Sequence, residues 1–147
     1  MQFNLERDPR THTIVSHSPG QVTISVPWRE GDDTPLLVDV DGQLRGRIRH
    51  ETFTSSLVVT PEHLIRDWPP QTLTEITRAH FEDVASLTPE VVLFGSGARL
   101  WWPPIALLEP LVQHGIGIEV MDTAAACRTY NILVYEGRNV AAALLMN

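Results

Sequence analysis

Three short stretches hold the side chains best able to do chemistry. The first is Gly95-Ser96-Gly97, with Arg99 just behind it. It follows the apolar run Val91-Val92-Leu93-Phe94, and α/β proteins place ligands at the C-terminal ends of such strands. Backbone N–H groups in a glycine turn can form an anion nest, with Arg99 as a further anion partner. No Lys-Ser or Lys-Thr follows the glycines, so this is not a nucleotide phosphate loop. The plainer expectation is a tight bend after a strand, needing positive φ.

The second stretch is Asp122-Thr123, at the start of an expected helix. Either side chain can satisfy first-turn N–H groups, a cap contributing about 1 kcal/mol. Capping is the favoured role. If the strands preceding the two stretches are parallel neighbours, both loops line one crevice. A small anion would then sit between the Gly97 N–H, Thr123 and Arg128.

Cys127, in the second turn of that helix, is the third. A helix N-terminus and the adjacent Arg128 lower a thiol pKa, and a Cys–His hydrolase would need a histidine such as His114 in contact. Against this, Ala124, Cys127, Asn131 and Val134 form a stripe at helical spacing. Buried cysteine behaves as a small apolar residue, so core packing is expected. Arg128 is expected to pair with Glu119 or Asp122, and Asn131 to bond loop backbone. The histidines (His12, His17, His50, His63, His80, His114) show no His-x-x-x-His spacing, so no metal site and no cofactor are expected. Glu109 and Glu119 do not form a recognisable acid–base pair.

Trp101-Trp102-Pro103-Pro104 suggests contact rather than catalysis. Adjacent side chains on a regular element cannot both point inward, and exposed aromatics dominate binding hot spots. Trp101 is the expected partner-contacting residue. Trp28 and Trp68 read as packing anchors near prolines.

The elements around these stretches follow from periodicity. Residues 1–60 read as β-rich and residues 61–147 as alternating helix and strand, in one domain over 1–147. Residues 13–17 and 21–26 are β-prone and flank Ser18-Pro19-Gly20, which predicts a hairpin. A polar break over 29–35, a strand over 36–40, an Asp41-Gly42 turn and a strand over 44–49 follow. Leu57-Val58-Val59 reads as a buried strand. Thr72 or Thr74 is expected to cap a helix reaching Ser86, with Phe81 and Val84 inward. Strands over 91–94, 116–121 and 140–146 alternate with helices over 104–114 and from Asp122 or Thr123 to Tyr135. Gly115 and Gly137 close those helices. The expected class is α/β, three-layer, a mixed central β-sheet flanked by helices, with an N-terminal β-hairpin region.

Composition narrows the function. The net charge of −7 disfavours nucleic acid and anionic membranes. One cysteine excludes an intrachain disulfide and fits a reducing compartment. The N-terminus shows neither an apolar signal core nor an acid-free transit pattern, and no stretch approaches the roughly 20 apolar residues of a membrane span. A bacterial-type cytoplasm, or an organelle matrix, is expected.

Several unusual words occur in order: Ser55-Ser56-Leu57-Val58-Val59-Thr60-Pro61, Trp68-Pro69, Phe94-Gly95-Ser96-Gly97, Gly115-Ile116-Gly117-Ile118-Glu119-Val120, Arg128-Thr129-Tyr130-Asn131 and Glu136-Gly137-Arg138-Asn139-Val140. Together they resemble the family of the mitochondrial respiratory complex I assembly factor number three and the adipogenesis-associated domain protein, with bacterial and archaeal relatives. The resemblance covers roughly residues 57–145. It implies a three-layer fold whose mixed sheet has one strand running against the others. It implies no established enzymatic activity and, for the mitochondrial branch, work as an assembly partner. It also implies that the aromatic–proline pair Trp102-Pro103 is structural. The chain departs from that branch in showing no transit pattern and in a longer stretch between Pro27 and Arg49. The leading expectation is a non-catalytic interaction or assembly factor, with oligomeric state open. The alternative is a small-anion or small-molecule binding protein or enzyme. It would use the crevice formed by Gly95, Ser96, Gly97, Arg99, Asp122, Thr123, Cys127 and Arg128.

Overall fold

Alternate side chains of the last strand face two different cores, and this sets the layers. In Val140-Ala141-Ala142-Ala143-Leu144, residues 140, 142 and 144 join one apolar cluster and residues 141 and 143 join another. Period-two alternation across a pleated sheet produces that split. The computed structural model describes residues 11–27, 36–38 and 44–147. The expectations for Trp28, the 29–35 break and the Asp41-Gly42 turn lie outside those residues.

The first four strands, β1 (Thr13–Ser18), β2 (Gln21–Pro27), β3 (Leu36–Val38) and β4 (Leu44–Phe53), form an antiparallel sheet in the order β1-β2-β4-β3. Gly20, at φ +74°, makes the β1–β2 turn. The second sheet contains β5 (Leu57–Val59), β6 (Leu64–Ile65), β7 (Val91–Gly95), β8 (Gly117–Met121) and β9 (Val140–Leu144), in the order β6-β5-β9-β7-β8. β7 is parallel to both β8 and β9, whereas β5 is antiparallel to β9 and to β6. β5 is thus the one strand running against the others, as the resemblance implied. The short β6 has no counterpart in the sequence reading, because two residues carry no periodicity.

Helices α1 (Arg78–Ala85) and α2 (Glu109–Gln113) cover one face of the mixed sheet. There Trp68, Phe81 and Phe94 meet edge to face at centroid distances of 5.7–6.5 Å. Helix α3 (Thr123–Tyr135) and the antiparallel sheet cover the other face, with Ile14, Ile24, Leu93, Cys127, Tyr130 and Leu144 in the core. The result is the expected three-layer α/β architecture.

Two helix starts differ from expectation. The helix assigned to Thr72 or Thr74 begins only at Arg78. Residues Leu73–Glu75 form a single 3₁₀ turn, then Ile76 turns extended (ψ 132°) to bury its side chain. Thr77 restarts the helix, its N–H donating to His80 Nδ1 at 2.9 Å. The segment expected as one helix from 104 enters through the 3₁₀ turn Ile105–Leu108 before α2, with Pro110 in the first α-turn. Gly115 (φ +67°) and Gly137 (φ +80°) take the left-handed closing positions.

Candidate functional site

The crevice depends on two loops meeting, and they do. β7 and β8 are parallel neighbours, with Gly95 in register with Met121. The loop after β7 therefore lies against the start of α3. Ser96 N–H donates to the Met121 carbonyl at 2.9 Å. Its hydroxyl donates to the Arg99 carbonyl at 2.6 Å and accepts the Trp101 N–H at 3.0 Å.

Thr123 makes the tightest link. Gly97 N–H donates to Thr123 Oγ1 at 2.8 Å, and that hydroxyl donates to the Leu145 carbonyl at 2.7 Å. Thr123 N–H returns a bond to the Gly97 carbonyl at 2.9 Å. The Gly97 N–H that an anion would need thus already has a buried partner. Asp122 caps α3, accepting the Ala125 N–H at 2.8 Å. Gly97 sits at φ +100°, the turn geometry expected of it. Gly95 is required for a different reason: a Cβ there would lie 3.1 Å from the Thr123 Cα.

A cavity of about 160 Å³ opens beside this junction, lined in part by His17, Gly97, Asp122, Thr123, Met146 and Asn147. Gly95, Ser96, Arg99, Cys127 and Arg128 do not line it. Burial pushes His17 below the ordinary histidine value; Arg128 acts in the same sense and Asp122 opposes. Arg128 itself is exposed, as is Arg99.

Cys127 is buried in the core between α3 and the sheet. Burial pushes its thiol up to about 12, and Arg128 only partly offsets this. His114 is on the other side of the sheet at the exposed end of α2, with Nδ1 bonded to the Pro110 carbonyl at 2.7 Å. Among the described residues no three His, Cys, Asp or Glu side chains are grouped to hold a metal ion. Glu109 pairs with Arg78 at 2.8 Å.

The polar residues of α3 have a clear task. Ile14 N–H donates to Asn131 Oδ1 at 2.9 Å, and Asn131 Nδ2 donates to the Ile14 carbonyl at 2.7 Å. Tyr130 OH donates to the His12 carbonyl at 2.8 Å. The helix thereby holds β1. Asn131 thus bonds backbone, but of a strand 117 positions away rather than of the expected loop.

The loop from β7 to α2 carries an exposed apolar patch. Trp101 is 55% exposed and Trp102 is 61% exposed, while Pro103 is buried. Trp102 therefore departs from its expected structural role: the loop is tethered by Ser96 and Pro103, leaving both rings outside. Leu100 and Ile105 extend the patch. Among the described residues no helix is long and apolar enough to cross a membrane.

Known proteins share this architecture. A crystal structure of a Bordetella parapertussis protein aligns over 93% of this chain and 97% of its own, with TM-score 0.69 and 30% identity. A Bordetella pertussis solution structure described as a Mth938-like domain aligns over 99% of this chain and 92% of its own, with TM-score 0.67 and 25% identity. The human NADH dehydrogenase [ubiquinone] 1 alpha subcomplex assembly factor 3 is 36% identical over 85 residues, 56% of this chain and 46% of that protein. The chain spans about half the length of the curated relatives it matches. A family model matches residues 41–145, from the N-terminal sheet through β9, and on that match the chain belongs to the family described as protein of unknown function (DUF498/DUF598).

Proposed function

We propose that this chain is a non-catalytic protein-interaction module that holds a partner during assembly of a larger complex. The observation that carries the reading is the pair of exposed rings, Trp101 and Trp102, on a loop whose backbone is held by Ser96. Rigid exposed aromatics supply large contact area at small entropic cost. The similarity to a mitochondrial assembly factor supports the same class. So does the use of the candidate reactive groups: Thr123 and Ser96 hydroxyls join loops, and the Cys127 thiol is buried. The single buried thiol also fits a reducing, cytoplasm-type compartment.

The small-molecule alternative has the cavity at the α3 start in its favour. Its volume of about 160 Å³ falls below the roughly 300 Å³ of ordinary ligand pockets. Affinity capture from the chain's own cell extract separates the readings. A defined partner should be held by the native protein and weakened at least tenfold by Trp101→Ala, with the thermal midpoint unchanged. Equal capture by both proteins would defeat the proposal.

A further inference from the structure

Sheet edges carry unpaired N–H and C=O groups, and proteins guard them. The described edges of this chain are guarded unequally. Asn131 clasps β1 at Ile14, occupying both its N–H and its carbonyl. A register shift between Ile14 and Ser16 also bends that strand. β6, at one edge of the mixed sheet, is only two residues long. Arg66 beside it is tied to Glu51 of β4 by a two-bond fork at 2.8 and 3.0 Å.

β8 is different. It stays in unbroken register with β7 from Gly117 to Met121, and no described strand pairs with its outer side. Its sequence, Gly-Ile-Glu-Val-Met, contains no proline and no basic residue. Glu119 is its one charge, exposed and without an ion pair among the described residues.

The register says which way the side chains face. Glu119 is opposite Leu93, so it lies on the α3 side; Ile118 and Val120 lie on the α1–α2 side. Ser96 bonds both the Met121 carbonyl and the Trp101 N–H, so the exposed tryptophan loop stands at the end of this strand. Val112, on the helix packed against β8, is also exposed.

The geometry points to β8 as the acceptor of an extended segment of a partner protein, added as a further strand, with a basic side chain opposite Glu119 and apolar ones on either side. This rests on the partner-binding reading above and names the partner's chemistry. Backbone ladder bonds supply affinity in such strand addition, and alternate side chains supply specificity. Charge decides against a second copy of this chain. Antiparallel pairing of two β8 strands about their centres sets Glu119 against Glu119, and opposed like charges destabilise a ladder. Each copy also carries a net charge of −7. A basic strand meets attraction on both counts.

The test uses a short synthetic peptide of alternating valine and lysine, a shuffled peptide of the same composition, and a valine–glutamate version. Amide hydrogen exchange is followed residue by residue in the full chain. The alternating basic peptide should slow exchange severalfold at β8, and neither control should. Glu119→Lys should reverse the preference toward the valine–glutamate peptide. β8 exchange that ignores all three peptides overturns the inference. So does protection of β8 that rises with protein concentration alone, which would assign the edge to a second copy. If Trp101→Ala still abolishes capture of a native partner while β8 stays unprotected, the edge inference fails alone. Undiminished capture by Trp101→Ala defeats the broader reading whatever the peptides do.

Discussion

At the scale of single residues, burial decides what Cys127 can do. A thiolate needs solvation or a strong cation, and the core between α3 and the sheet gives it little of either. Burial holds the proton on Cys127 to about 12, against an ordinary value of 9.0. Burial also raises the Tyr130 phenol above its ordinary 10.0. The sign of the pH effect follows. Between the ordinary and the raised value the folded protein keeps a proton that the unfolded chain releases. The unfolded state then binds fewer protons, so stability falls as pH rises. Below the ordinary thiol value both states are protonated and Cys127 contributes no slope. The urea midpoint should therefore be lower at pH 10.5 than at pH 8, and Cys127→Ala should flatten part of that fall. At pH 8 a thiol reagent should label the native protein no faster than it unfolds globally. Rapid labelling of the native protein would show an accessible thiol and restore the nucleophile reading.

At the scale of elements, the informative contact is between the β7 loop and the start of α3. Thr123 Oγ1 accepts from Gly97 and donates to Leu145, so one hydroxyl joins the loop, the helix and the segment after β9. Thr123→Val keeps the shape and leaves a buried N–H and a buried carbonyl without partners. The expected loss is about 2 kcal/mol in denaturant unfolding, since an unsatisfied buried group costs about 1–3 kcal/mol. Thr123→Ser should recover most of it, and a neutral Thr123→Val would show that the hydroxyl contributes nothing. This junction was half legible in the sequence. Apolar runs, glycines and the Asp122 cap located both loops, because those signals are local; their meeting depended on β7 and β8 being parallel neighbours, which the sheet supplies. Which donor meets which acceptor was not legible, because the Thr123–Leu145 bond joins residues 22 positions apart. The same limit applies to Asn131, whose Ile14 partner is 117 positions away. α1 shows another limit: Thr72, Thr74 and Thr77 are equally able to cap, and the burial of Ile76 selects the last.

At the scale of the whole molecule, two cores share one sheet, and β9 runs through its middle. Ala142 pairs with Leu93 and Val59 and faces the α3 layer; Ala143 pairs with Phe94 and Val58 and faces the aromatic layer. Both alanines are fully buried. Their small size leaves room for Cys127 and Tyr130 on one side and for Phe94 and Trp68 on the other. Ala142→Leu and Ala143→Leu should each destabilise, with overpacking costing about 1–3 kcal/mol, yet through different layers. Only Ala143→Leu should disturb the native near-ultraviolet dichroism of the Trp68–Phe81–Phe94 rings. Unfolding should remain a single transition in both variants, because neither layer can dissolve without exposing the strand that the other needs. Far- and near-ultraviolet signals that separate on heating either variant would mean that the layers are independent. β9 would then be a boundary between two folding units rather than the spine of one.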